Sequence, residues 1–108
     1  MLPKKVKVGC YWIDIIPMKS LEGFAHGVYG HFSASEMCIR IITELSPAVV
    51  MNTLIHEVMH VCYFVGSLDD SDEEERIVTT LANQYCGVLI DNPDYNKFIQ
   101  RCCNASKG

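Results

Sequence analysis

The stretch SPAVVMNTLIHEVMHVCYFVG, residues 46–66, contains the signals for both ends of one long helix. The Ser46 side chain can accept hydrogen bonds from the free amides of a first turn, and Pro47 stands at the first helical position, where proline is favoured. Glycine commonly ends a helix, which fits Gly66. The sequence therefore predicts a helix over Pro47–Val65, and this helix is the centre of the predicted fold.

The second half of this helix carries the pattern His-Glu-x-x-His. Side chains four residues apart lie on the same face of a helix, so His56 and His60 can bind one ion together. Glu57 is turned about 100° around the axis and can contact a water on that ion without binding the ion itself. The spacing is typical of a zinc site in which the glutamate is the general base.

The segments before this helix predict strands. Residues 6–16 are rich in β-branched and aromatic side chains and are followed by Pro17, which favours one strand that ends there. Residues 37–43 predict a second strand with a two-residue period. Between them, Gly23, Gly27 and Gly30 indicate turns or a short hairpin.

A second long helix is predicted over residues 72–90. Ser71 followed three residues later by Glu74 is a capping-box pattern, and the acidic first turn suits the positive end of the helix dipole. Apolar residues at helical spacing form one stripe that should face the core, at Ile77, Val78, Leu81, Ala82, Tyr85, Val88 and Leu89. A short third helix is predicted over residues 95–102. Strands followed by helices predict an α+β fold, a small antiparallel sheet packed on two main helices.

Length and composition limit the function classes. The chain of 108 residues fits one domain, 49% hydrophobic residues suffice for a core, and the net charge of −4 argues against a nucleic-acid partner. No run approaches the roughly 18 consecutive apolar residues of a membrane helix, and the N-terminus lacks the pattern of a signal peptide. The six cysteines form no CxxC pair. We therefore expect a cytoplasmic, single-domain protein with reduced cysteines and no membrane partner.

Two histidines leave a catalytic zinc site one protein ligand short. Candidates for the third ligand are the acids of the run 69–75 and the two histidines of the glycine-rich segment, His26 and His31. A second helix that packs antiparallel after a short turn brings its first turn beside His60, which favours Glu74 or Glu75. Periodicity does not choose between these two. The remaining acids should be solvated: Asp69, Asp70 and Asp72.

Two segments resemble zinc peptidases. Residues 53–62 resemble the extended zincin signature, and EERIVTTLANQYCGVL, residues 74–89, resembles the glutamate-bearing helix of gluzincin-type peptidases. The chain is similar to small phage and prophage-encoded HExxH proteins and, more distantly, to the peptidases that cleave phage-type repressors. In those peptidases the ligand glutamate is followed by apolar or small residues at the spacing that Glu75 has to Val78, Leu81 and Ala82. The resemblance covers residues 46–93, under half of the chain.

The resemblance implies a minimal zincin that hydrolyses peptide bonds in a protein or peptide substrate. It would hold one zinc ion through His56, His60 and Glu75, with Glu57 as the general base. An extended substrate could add to the strand over residues 37–43. Donors available to stabilise the developing oxyanion are Tyr29, His26 and His31. The alternative is a catalytically inactive interaction module with a structural metal or none, in which a fourth protein ligand such as His31 or a cysteine replaces water.

Overall fold

The computed structural model of the protein describes residues 2–20, 29–68 and 71–107. Four strands form one sheet in the order β1-β2-β4-β3. They are β1 (Lys5–Val8), β2 (Tyr11–Met18), β3 (Gly30–Ser33) and β4 (Cys38–Ile42). Three helices follow: α1 (Pro47–Val65), α2 (Asp72–Asp91) and α3 (Pro93–Ser106). The α+β class with a small sheet is confirmed.

The sheet is mixed, so the prediction of an antiparallel sheet was wrong for its central pair. β1 pairs antiparallel with β2, and β3 pairs antiparallel with β4, but β2 and β4 run parallel. The reason lies in the connection. β2 and β4 are joined by a long segment that includes β3, and a connection of a dozen or more residues permits the parallel pairing that a tight hairpin turn forbids.

The single strand predicted over residues 6–16 is a hairpin. β1 and β2 pair with Val8 opposite Tyr11, which leaves Gly9 and Cys10 as the turn. Gly9 has φ +61°, a left-handed conformation that glycine adopts without strain and that tight hairpin turns need. Pro17 does not end the strand, because β2 continues through it and pairs it with Ile41.

α1 has the predicted bounds and packs on the sheet. The Ser46 hydroxyl accepts a hydrogen bond from the amide of Val49 at 3.4 Å. The helix ends before Gly66, but the positive φ of the turn is at Ser67, with φ +59°. One face of α1 closes a core with the two central strands, formed by Ile13, Ile15, Ile39, Ile41 and Val61.

α1 is also long and apolar enough, by length and composition alone, to cross a membrane. The central helix of a globular protein meets the same criterion. In the described structure, one side of α1 packs on the sheet and another side packs on α2. These contacts bury Thr53, Glu57 and Val61, and most of the other residues of α1 are half-buried.

α2 begins after Ser71, but the predicted capping box is absent. The Ser71 hydroxyl accepts a hydrogen bond from the amide of Glu73 at 3.3 Å, while the Glu74 side chain turns toward α1. The apolar stripe was wrong for its outer half. Val78, Ala82 and Cys86 are buried, whereas four of the predicted residues are exposed: Ile77, Leu81, Tyr85 and Val88. α2 packs mainly against α1, and one helix partner covers only a narrow strip of its surface.

The last helix, α3, is longer than the predicted 95–102 segment and buries none of its residues fully.

All six cysteines lie in the described residues and are free thiols. Cys38 and Cys86 are buried, and the other four are exposed, so only two of them serve as small buried apolar residues.

Candidate metal centre

The first turn of α2 lies beside the second half of α1, which brings three nitrogen and oxygen ligand groups together. The Nε2 atoms of His56 and His60 are 3.2 Å apart. The Glu75 carboxylate faces both of them, with Oε1 2.8 Å from His56 Nε2 and Oε2 2.9 Å from His60 Nε2. The three predicted ligands therefore point at one small region of space.

This spacing fits a tetrahedral zinc ion. Ligands about 2.0–2.1 Å from zinc in a tetrahedron lie about 3.3–3.4 Å from one another. The distance between the two Nε2 atoms, 3.2 Å, is close to that value, and the two nitrogen–oxygen distances, 2.8 and 2.9 Å, are about half an ångström shorter. Among the residues that the structure describes, His56, His60 and Glu75 form the one group of metal-ligating side chains of this size. A zinc ion held by three protein groups keeps a fourth position for water or substrate.

Glu74 and Glu75 contact opposite sides of the same imidazole. Glu74 Oε2 lies 2.5 Å from His60 Nδ1, and Glu75 Oε2 lies 2.9 Å from His60 Nε2. The Glu74 side chain is half-buried, with 17% exposed, whereas Glu75 is 66% exposed. The structure thus brings Glu75 to the ligand nitrogens and Glu74 to the far nitrogen, a distinction that periodicity did not make.

Glu57 lies on the side of α1 that faces β3 and is buried, with 7% exposed. Burial raises the pKa of Glu57 to about 7; the charge of His60 opposes this shift, and the charge of Glu75 adds to it. The backbone N–H of Phe32 donates a hydrogen bond to its carboxylate. Glu57 nevertheless lines the same cleft as the two histidines. A carboxyl group in this position can exchange a proton with a molecule in the cleft near neutral pH.

The histidines respond differently to their surroundings. Burial lowers the pKa of His56, and the nearby Glu75 carboxylate offsets this only in part. Burial alone would also lower the pKa of His60, but the hydrogen bond to Glu74 and the charges of Glu57 and Glu75 raise it overall. The effect of the carboxylates on the pKa therefore outweighs that of burial at His60 but not at His56.

A cleft of about 780 Å³ opens over this group. At one end, Asn52 donates a hydrogen bond to Asn83 at 2.9 Å and joins α1 to α2. At the other end the walls are apolar and aromatic, and Phe32 meets Phe64 edge to face with ring centroids 6.0 Å apart. The cleft therefore offers a polar and an apolar end on either side of the histidines.

β3 forms the wall of the cleft opposite α2 and lies directly against α1. A Cβ atom on Gly30 would stand 2.6 Å from Thr53 Cγ2 and 3.4 Å from Glu57 Cγ. Only a glycine permits this close approach of the strand to the helix. Gly30 is thus a structural requirement of the site as well as part of the segment predicted to turn.

The strand predicted to receive an extended substrate is an inner strand of the sheet. β4, within the predicted 37–43 segment, is paired on both sides, by β2 and by β3. No other described strand pairs with the outer edge of β3. Among the described strands, the one with its outer edge beside the cleft is β3.

Other predicted residues have mixed outcomes. Tyr29 and His31 line the cleft, and so does Tyr63, which the sequence analysis missed. His26, Asp69 and Asp70 lie outside the described residues, as do the predicted turns at Gly23 and Gly27. Asp72 is exposed at the start of α2, as expected for a solvated acid. His31 and the described cysteines are not part of the ligand group.

Three further polar residues of the cleft also escaped the sequence analysis: Asn52, Thr79 and Asn83. Thr79 donates a hydrogen bond to Glu75 Oε1 at 3.2 Å. Their four-residue spacing along the two helices could have identified them from the sequence. Asn52, His56 and His60 recur every four residues on α1, and Glu75, Thr79 and Asn83 do so on α2, so each set lies on one helix face. We call these two sets the facing polar rows.

No protein-family model, curated protein or solved structure matches the chain. The likeness to zincins therefore stays a prediction that rests on the residues themselves, and so does the cytoplasmic location. The geometry of the cleft, described above, is independent of that likeness.

Proposed function

We propose that the protein is a zinc-dependent peptidase that binds one zinc ion through His56, His60 and Glu75. The observation that carries this proposal is the placement of both Nε2 atoms 3.2 Å apart, with the Glu75 oxygens 2.8 and 2.9 Å from them. Two neutral imidazoles and a carboxylate are a common ligand set of catalytic zinc. When bound, zinc polarises a substrate carbonyl and lowers the pKa of water to near 7.

Glu57 is the general base in this proposal. Its carboxylate accepts the proton of the attacking water and can deliver it to the leaving amine. Glu57 follows His56 directly in the chain and lines the cleft without belonging to the ligand group. The Phe32 amide holds the carboxylate on the β3 side, which keeps it available to a molecule in the cleft.

The outer edge of β3 supports a peptide as the substrate. An extended peptide can add to an exposed strand through main-chain hydrogen bonds, with alternate side chains entering pockets beside the strand. β3 borders the cleft through Gly30, His31 and Phe32, next to the general base. A peptide lying along this edge would pass over the ligand group, and its apolar side chains could contact Phe64 and Leu68.

The alternative of an inactive module with a structural metal has less support. A structural zinc site has four protein ligands. The ligand group contains three residues in the part of the chain that the structure describes, and the cleft above it is open. An open position is what hydrolysis requires.

The test compares the wild type with Glu57→Gln, which keeps the size of the side chain and removes its basicity. Both proteins are loaded with zinc and incubated with a denatured protein and with a peptide library, and cleavage is followed by mass spectrometry. We expect cleavage by the wild type, a rate lower by about 10²–10⁴-fold in Glu57→Gln, and unchanged zinc content.

Glu73→Gln is the matched control, because Glu73 is exposed, pairs with Arg76 and lies outside the cleft. It should cleave like the wild type. Equal rates in the wild type and Glu57→Gln would contradict the proposal. Absence of cleavage by the zinc-loaded wild type across the library would also contradict it, and so would cleavage that survives removal of zinc by a chelator.

A further inference from the structure

We propose that Glu74 is a positioning residue that holds His60 in the tautomer and orientation that zinc binding needs. This inference rests on the proposed zinc site. Its basis is the 2.5 Å contact between Glu74 Oε2 and His60 Nδ1, made between two half-buried side chains that are 17% and 16% exposed. It is shorter than the contacts of the other ring nitrogen, which lies 2.9 Å from Glu75 and 3.2 Å from His56.

The chemistry of the two groups determines what this contact does. A neutral imidazole carries its proton on one nitrogen and a lone pair on the other. An ionised carboxylate can only accept, so Glu74 favours the proton on Nδ1, whereas Glu75 Oε2, 2.9 Å from Nε2, favours a proton on Nε2 as long as no metal is bound. With the proton on Nδ1, the lone pair is on Nε2, the atom that faces His56 and Glu75. Carboxylates that bind the second nitrogen of a ligand histidine also fix the plane of the ring and make it a stronger ligand.

The local fold of α2 makes the arrangement possible. Consecutive residues on a helix point about 100° apart, so Glu74 and Glu75 diverge and contact the two nitrogens of one ring between them. Both are in the first turn of α2, where the helix dipole stabilises negative charge. The first turn contains four acids, Asp72, Glu73, Glu74 and Glu75, and of these only Glu74 is half-buried.

This role also explains why Glu74 does not form the predicted capping box. A capping-box glutamate reaches back to the amide of the residue that caps the helix. Here the Ser71 hydroxyl accepts from the Glu73 amide, and the Glu74 side chain turns to α1 instead. Glu74 therefore contacts a histidine on α1 in place of a contact that would stabilise the start of its own helix. This is consistent with a functional constraint on His60.

The experiment compares the wild type with Glu74→Ala, Glu74→Gln and the control Glu73→Gln. Zinc affinity is measured by competition with a chromogenic chelator. The tautomer of His60 is measured by ring ¹⁵N NMR on the metal-free protein, at a pH where the ring is neutral. Circular dichroism checks that each variant folds.

We expect Glu74→Ala to bind one zinc about 10–100-fold more weakly and to gain the tautomer with the proton on Nε2. Glu74→Gln should lose less, because its amide oxygen can still accept from Nδ1 without the charge. Glu73→Gln should match the wild type in both measurements. If Glu74→Ala does not fold, the smaller loss in Glu74→Gln carries the test.

Unchanged affinity and an unchanged tautomer in the folded Glu74 variants would overturn the inference. Failure of the proposed function looks different. In that case the wild type itself binds no zinc, and the NMR measurement on the metal-free protein still decides whether Glu74 determines the His60 tautomer. A tautomer that shifts in Glu74→Ala but not in Glu73→Gln supports the positioning role, and one that does not shift in Glu74→Ala contradicts it.

Discussion

The two sides of α2 differ in a way that the hydrophobic pattern does not show. The side that faces α1 combines three buried small or apolar residues, Val78, Ala82 and Cys86, with a row of polar ones, Glu75, Thr79 and Asn83. The opposite side carries large apolar residues that stay exposed, with Leu81 at 55%. On α2, therefore, the row of polar residues identifies the site, whereas the stripe of apolar residues predicts more buried side chains than the structure has.

Of the substitutions that test this difference between the two sides of α2, the largest loss of stability is expected at Val78, which is 1% exposed. Val78→Ala removes two buried carbon groups at about 0.8 kcal/mol each and leaves a cavity, so we expect about 2 kcal/mol less stability. Denaturant unfolding followed by circular dichroism measures the change. A loss below about 0.5 kcal/mol would mean that α2 does not pack on α1 as described.

An intermediate effect is expected at the far end of the facing polar rows. Asn52→Ala removes the 2.9 Å hydrogen bond to Asn83, which should lower the free energy of unfolding by about 0.5–1.5 kcal/mol. A double-mutant cycle with Asn83→Ala isolates the pair. Strictly additive losses in that cycle would show that the two side chains do not interact in solution.

The smallest effect is expected at Val88, which offers the same residue type on the same helix but is 39% exposed. Val88→Ala should change the free energy of unfolding by no more than about 0.5 kcal/mol. Denaturant unfolding under the conditions used for Val78→Ala makes the two directly comparable. A loss as large as at Val78 would indicate that the exposed side of α2 is covered in solution.

The sequence predicted the parts of the fold that have local causes. The bounds of α1 were confirmed: Ser46 and Pro47 act on the backbone at its start, whereas at its end Gly66 has φ −77° and the positive φ is at Ser67. The start of α2 after Ser71 was confirmed for the same reason. The approximate position of β4 was predicted from a two-residue period, although in the structure four of its five residues are buried and Arg40 is half-buried.

The parts that failed depend on contacts between distant segments. The hairpin turn at Gly9 lies inside a continuous β-favouring run, and the parallel pairing of β2 with β4 depends on where the intervening chain goes. The exposure of Leu81 depends on how many elements surround α2. The pairing and the exposure are not determined by residues close in sequence, so a local pattern cannot supply them, whereas the turn has a local signal in Gly9 that the prediction did not use.

The candidate site, like the fold, was predictable only where local spacing determines it. The pairing of His56 with His60 followed from helical spacing alone. The contrast between Glu74 and Glu75 did not, because it depends on the rotation of α2 relative to α1, which brings one carboxylate to each nitrogen of His60. The facing polar rows can be recognised in the sequence by their four-residue spacing. Only the structure shows that they meet across the cleft.

Zinc stoichiometry of the purified, reconstituted protein tests the central claim most directly. We predict one zinc per chain in the wild type and in Glu57→Gln, and loss of most of it in Glu75→Gln and His56→Ala. Elemental analysis after removal of free metal gives the ratio. A wild type that holds no zinc, or a Glu75→Gln variant that holds as much as the wild type, would contradict the claim that His56, His60 and Glu75 form a metal centre.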